Sequence, residues 1–275
     1  MTDAIGVSAI RTFEAIEKKQ GMKGDFKTRS PIGSTPQFKD KSLAKSMNLR
    51  KSHRVLDIAI GDENFSSVAR YLAKLTTAKD VDSVFRQTNI PLKARKMSFD
   101  SKSTDAADIP FDDEYFDAVV CAFGINSASN QQKLVKELAR VCHRRGKIGL
   151  ACWSSNSFID ILFKIVGLYA PPQFDVKCPA LWGTRERITD CFGSIAGEIE
   201  ITKKTYIFRC KSALDWLEIF KTQDGPIRKV FSILDNKQEK SASEDILYLM
   251  ESYNTAENGS LIVPSEYLEV VIKRT

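Results

Sequence analysis

From Arg54 onward the apolar residues fall into two alternating rhythms. Short runs such as Val55–Ile60 and Phe116–Ala122 are nearly continuous, as in strands buried on both faces, and between them apolar residues recur at helical spacing. This pattern predicts strand 55–60, helix 64–76, a weakly hydrophobic strand 80–84 and helix 88–96. A short strand near 96–99, strand 116–122, helix 129–143 and strand 147–153 follow. Such β-α-β-α order predicts an α/β fold with a doubly wound, mainly parallel sheet and right-handed crossovers.

The flanks have a different texture. Ile5, Ile10, Phe13 and Ile16 can share one face of a helix over 5–19, an N-terminal cap. Residues 21–41 are rich in Lys, Ser, Gly and Pro without periodicity and read as a loop or lid, and helix returns at 42–47. After Trp153 the spacing predicts helix 156–168, a break at Pro171-Pro172, and helix 184–192. Alternation over 199–209 predicts one strand, or two with a turn at Lys203-Lys204. Helices at 213–220, 226–234 and 243–251 and a closing strand at 267–273 complete an α+β elaboration. The expected division is a cap and mobile segment (1–50), a cofactor-binding core (51–155), and a C-terminal elaboration that completes the sheet and an acceptor pocket (156–275).

The turn after the first strand carries the first chemical signal. Open parallel sheets bind ligands beyond the carboxyl ends of their strands. Ala59 and Gly61 are small there, and Gly61 can adopt a positive φ at little cost. A dinucleotide fingerprint needs G-x-G-x-x-G, whose glycines let a doubly charged pyrophosphate approach the helix N-terminus. Asp57, Asp62 and Glu63 make this turn acidic instead, so a phosphate-free ligand with an amino-acid end and an adenosine end suits it better. S-adenosylmethionine is such a ligand.

Val55-Leu56-Asp57-Ile58-Ala59-Ile60-Gly61-Asp62-Glu63-Asn64-Phe65 resembles the first motif of class I S-adenosylmethionine-dependent methyltransferases, in particular the methyltransferase-domain type that includes the quinone-biosynthesis C-methyltransferases. Thr104–Phe111 resembles their G-D-A-x-x-L-P-F loop, Phe116–Gly124 their F-D-x-V segment, and Glu137-Leu138-Ala139-Arg140-Val141 their E-x-x-R-V helix end. Pro171-Pro172, Pro179–Gly183, Gly225-Pro226 and Val263–Leu268 resemble markers of a bacterial branch whose members mostly have unassigned substrates. The resemblance runs from about Arg54 to Thr275 and implies a Rossmann-like core. Three positions depart from the family pattern: Glu63 replaces the third glycine, Ile60 the usual cysteine, and Arg144-Arg145-Gly146 the P-G-G turn.

The resemblance implies a cofactor-binding set. Asp57 holds the methionine amino group, and Asp82, with Asp80 as substitute, accepts from the ribose hydroxyls. Asp105 and the backbone of Ala106 read the adenine between Ile58 or Phe111 as apolar walls. Ala59 and Gly61 give room, and Cys121, Ala122 and Phe123 line the sulfonium side. Each has a plainer reading: helix cap for Asp57, surface acid for Asp82, Asx-turn for Asp105, core for Phe123. No catalytic residue is assigned. His53 and His143, the only histidines, flank strand starts on the edge away from the cofactor.

Composition then narrows the rest. With 275 residues, 43% hydrophobic and 28% charged, the chain is sized for one α/β domain with an elaboration. No apolar run approaches the roughly 20 residues of a membrane span, and Met1-Thr2-Asp3-Ala4 starts no signal sequence, so a cytoplasmic protein is expected. Cysteines 121, 142, 152, 178, 191 and 210 lack C-x-x-C spacing and read as reduced thiols, with no metal site. The net charge of +6 reflects a basic N-terminal stretch with little aromatic interleaving, which favours a solvated surface over nucleic-acid binding. Trp153, Tyr169, Trp182, Tyr206 and Trp216 offer apolar area for a small-molecule acceptor. The rival to a methyltransferase is a degenerate, non-catalytic binding or scaffold protein, suggested by Glu63 and the thin second strand.

Overall fold

A computed structural model describes residues 42–50, 53–59, 81–85, 101–103, 108–125, 130–171, 180, 182–222 and 226–275. The expected cap helix 5–19, the loop 21–41, and helices 64–76 and 88–96 lie outside these residues. Seven strands form one sheet in the order β3-β2-β1-β4-β5-β7-β6. They are β1 (Val55–Ala59), β2 (Val81–Phe85), β3 (Ser101–Ser103), β4 (Phe116–Ala122), β5 (Cys142–Trp153), β6 (Ala196–Cys210) and β7 (Leu261–Arg274). The first five are parallel, and β7 is antiparallel to both β5 and β6. The doubly wound, mainly parallel α/β sheet expected from the sequence is present.

Several boundaries move, each for a packing reason. β5 starts at Cys142 rather than 147, because Cys142 already pairs with Phe116 ahead of a register shift. The third strand is at 101–103, paired with Ser83–Phe85, a few residues beyond the expected position. Residues 196–210 form one strand of 15 residues: β7 pairs along it from Ala196 to Cys210, so Lys203 and Lys204 run straight through without a turn. The last helix begins at Asn236 rather than 243, set by a capping box between Asp235 and Gln238 whose polar residues carry no apolar rhythm.

Residue alternation along β7 sorts the two faces. Leu268, Val270 and Ile272 join Leu56, Ile58, Val119, Cys121, Ile148 and Leu150 in one apolar layer. Helices α2 (Gln131–Val141) and α4 (Arg185–Phe192) cover it; α2 inserts Leu134, Val135, Leu138 and Val141 at helical spacing. On the other face, Val55, Ala118, Val120, Ala151, Tyr267 and Val271 pack beneath the short helix α1 (Ser42–Ser46) with Leu43 and Met47. A Cβ on Gly149 would come 2.3 Å from Met47 Sδ, so glycine there is what lets α1 lie this close.

Further along that second face, Leu261 and Val263 of β7 and Phe208 of β6 meet the helices of the elaboration. These are α3 (Phe158–Tyr169), α5 (Ala213–Thr222), α6 (Pro226–Phe231) and α7 (Asn236–Tyr253). β6 and β7 therefore run past the end of β5 at Trp153 and carry this helical layer beyond the parallel strands. Between α1 and that layer, the sheet presents the last residues of β4 and β5.

Candidate functional site

The strand order reverses direction between β1 and β4, since β2 and β3 lie on one side and β5, β7 and β6 on the other. Splayed connections at such a switch point leave a crevice at the carboxyl ends of the strands. Asp57, in the middle of β1, pairs in register with Val120 of β4 and Ser83 of β2, and is 0% exposed. Ala59 ends β1, and Ala122 ends β4 opposite Ala151 of β5. Cys121 is wholly buried; burial pushes its thiol up, with Cys152 and then Asp57 adding to the shift. Asp57 therefore lies within electrostatic reach of the end of β4.

Phe123, immediately after β4, has φ 58, a left-handed conformation unusual for a bulky residue. Its N–H donates to Ala151 O at 2.8 Å, and its ring stacks on Trp153 with centroids 4.2 Å apart. Tyr267 meets both rings edge-on. Strain of this kind persists only where surrounding contacts over-determine it, and it clusters at functional sites. The sequence singles out Phe123 only through the family resemblance of Phe116–Gly124; nothing in the local pattern marks its left-handed backbone.

The structure puts Ala59, Cys121, Ala122 and Phe123 at the carboxyl ends of two neighbouring strands, with Asp57 two residues before the end of β1. Ile58 is fully buried in the layer under α2 and α4. Asp82 is the second residue of β2, in register with Leu56, so its backbone lies short of the strand's carboxyl end at Phe85. Gly61, Glu63, Asp80, Asp105 and Ala106 lie outside the described residues. The two histidines are at the other end of the sheet, His53 before β1 and His143 at the start of β5.

The loop entering β4 is held by α2. Glu137 accepts from Ile109 N at 2.9 Å and grips Arg140 through both carboxylate oxygens. Arg140 donates in turn to the carbonyls of Ile109 and Phe111 and to Asp113. The Arg140 hydrogen bond holds the Glu137 carboxyl below its ordinary range. The E-x-x-R spacing thus has a structural purpose, which is to clamp the segment that follows Asp105 and Ala106. Phe111 is half-buried against Phe116 and Tyr115.

The five aromatic residues offered for an acceptor separate. Trp182 is 0% exposed and Trp216 nearly so, each within a core cluster. Gly183 allows the Trp182 segment to touch the end of β5, where a Cβ would meet Trp153 O at 2.0 Å. Tyr169 donates to Asp245 at 2.6 Å. Trp153 and Tyr206 stay half-exposed beside the β4 tip, meeting edge-on, and burial pushes the Tyr206 hydroxyl up to about 12. Among the described cysteines, 121, 142 and 152 are buried and all five are free; burial pushes Cys142 and Cys152 up to about 12, which keeps them as thiols. Cys178 lies outside the described residues. Among the described residues no group of His, Cys, Asp and Glu could hold a metal ion, and no helix is long and apolar enough to cross a membrane.

Comparison with known proteins agrees with this geometry. The family model described as "Methyltransferase domain" matches residues 56–150, from β1 to β5. A Mycobacterium tuberculosis protein of unassigned function is 26% identical over 209 residues, covering 74% of this chain and 75% of its own. A demethylmenaquinone methyltransferase of Clavibacter sepedonicus is 30% identical over 120 residues, 42% of this chain and 47% of its own. Among solved structures, a methyltransferase candidate from Bacillus halodurans superimposes with TM-score 0.55 at 19% identity, over 85% of this chain and 99% of that one. A phosphoethanolamine N-methyltransferase of Haemonchus contortus, solved with S-adenosylhomocysteine, gives TM-score 0.50 at 14% identity, over 85% of this chain and 52% of that one. Residues 56–150 thus match a methyltransferase domain, the fold is that of the solved Bacillus halodurans structure, and part of the chain is similar in sequence to a demethylmenaquinone methyltransferase.

Proposed function

We propose that this protein is an S-adenosylmethionine-dependent methyltransferase that moves a methyl group to a small organic acceptor. The observation that carries this reading is a fully buried carboxylate, Asp57, at the switch point of a sheet whose β1–β5 segment matches a methyltransferase domain. An anionic group in a low-dielectric crevice is the natural partner for an ammonium ion, which the cofactor's amino-acid end carries.

When bound, the cofactor supplies an electrophilic methyl group on a sulfonium. Asp57 would hold its ammonium, Asp105 and the Ala106 backbone its adenine, and Asp82 or a neighbouring acid its ribose. Ala59 and Gly61 would admit it close to the backbone, while Cys121, Ala122 and Phe123 line the side facing the acceptor. Methyl transfer to a nucleophile depends chiefly on in-line placement and exclusion of water. The stack of Phe123 on Trp153 gives a rigid apolar wall that serves both needs, and no histidine lies near it to act as a base.

Titration calorimetry of the full chain with S-adenosylmethionine and S-adenosylhomocysteine tests the reading. Micromolar binding of both is expected. No heat at millimolar ligand would overturn it, and binding without turnover against any acceptor would favour the non-catalytic alternative.

A further inference from the structure

Asp57 is not the only carboxylate buried in the sheet. Glu269 of β7 is 2% exposed and pairs in register with Ala151 of β5, which itself pairs with Ala122 at the tip of β4. Its Oε1 accepts from Ser46 Oγ of α1 at 2.6 Å. Its Oε2 is buried and has no hydrogen-bond partner among the described residues, and no ion pair to Glu269 is found among them.

A neutral serine satisfies part of the hydrogen-bonding capacity of this group and none of its charge. Burying an ionised carboxylate without a counter-charge costs several kcal/mol, so such a group is retained where something cationic meets it. On this face of the sheet the row from Glu269 towards β4 runs through Ala151, which is buried, to Ala122, which is partly exposed. Tyr267, two residues along on the same face, meets the stacked rings of Phe123 and Trp153. Ring faces attract cations too, and their bulk suits an apolar body. A hydroxyl would fill the open lone pair but leave the charge uncompensated.

Resting on the methyltransferase reading above, we infer that Glu269 is the acceptor's anchor, and that the acceptor is a small amine with an aromatic or apolar body. Its ammonium docks on Glu269 Oε2 while its body lies along Tyr267 and Trp153 towards Ala122. Two inter-strand spacings separate β7 from β4, roughly 10 Å. Glu269 therefore orients the acceptor from its far end, and the anchored nitrogen need not be the atom that is methylated. Ser46 fixes the carboxylate and ties the anchor to α1.

The probes are phenethylamine and its uncharged isostere 2-phenylethanol, titrated into the full chain with S-adenosylhomocysteine present and absent. Phenethylamine is expected to bind at least tenfold tighter than 2-phenylethanol. Glu269→Gln, which keeps shape and removes charge, is expected to abolish that preference while S-adenosylhomocysteine affinity stays within twofold. Equal binding of the two probes to the unaltered protein, no binding of either, or an amine preference that survives Glu269→Gln would each overturn the inference. The comparison on the unaltered protein needs no variant to fold. Failure of S-adenosylhomocysteine to bind would strike the methyltransferase reading separately, since the amine preference is read without it.

Discussion

The two faces of the sheet are buried to similar depth with different chemistry. Under α2 and α4 the described strand residues form a layer of Leu, Ile, Val, Phe and Cys side chains. Under α1 and the C-terminal helices the equivalent layer includes Asp57, Glu269 and Ser265 at 0%, 2% and 1% exposure. A face built for stability alone gains nothing from buried carboxylates, because their desolvation opposes folding. The contrast separates an apolar face from one that buries acids within its apolar packing, where the proposed ligands would sit.

Substitutions should therefore have opposite signatures on the two faces. The largest effect belongs to the apolar one: Leu138→Ala, at a fully buried position of α2, is expected to cost about 2–5 kcal/mol in a denaturant titration, with cofactor affinity unchanged in the folded fraction. A cost below about 1 kcal/mol would break the comparison. Asp57→Asn should do the reverse. Losing a buried charged contact to ligand is expected to weaken S-adenosylhomocysteine binding by about 2–3 kcal/mol, while the unfolding midpoint stays level or rises.

Gly149→Ala tests how α1 closes the face that buries Asp57 and Glu269. The added methyl meets Met47 Sδ, and overpacking of this kind is expected to cost about 1–2 kcal/mol, with faster proteolysis at residues 42–50. Arg140→Gln addresses the clamp on the loop entering β4. Its side chain is partly exposed, so a loss of about 1 kcal/mol is expected, with cofactor affinity falling several-fold as residues 109–113 loosen.

The smallest effect is acid sensitivity of the same clamp. The Glu137 carboxyl is held below its unfolded value, so its contribution is fully present above that value and is lost as pH falls through the lower, folded one. Hydrogen exchange at Ile109 N–H should accelerate relative to the α2 core over that acidic range, and equal acceleration of both would show that Glu137 does not hold the loop.

The strands between Val55 and Trp153 and the helix α2 were legible in the sequence because strands buried on both faces are apolar throughout, and the helix leaves a 3.6-residue rhythm. The positions of Asp57 within β1 and of Ala122 at the end of β4 follow from those strands, while the roles expected of them came from the family resemblance. The unbroken course of β6 through Lys203-Lys204 was not, since it depends on pairing with β7, more than sixty positions later. Nor were the left-handed turn at Phe123 and the bond between Ser46 and Glu269, whose partners are 223 positions apart. Local pattern reports how a segment meets an average interior; which side chains share a crevice is decided only when the sheet brings distant strands into register.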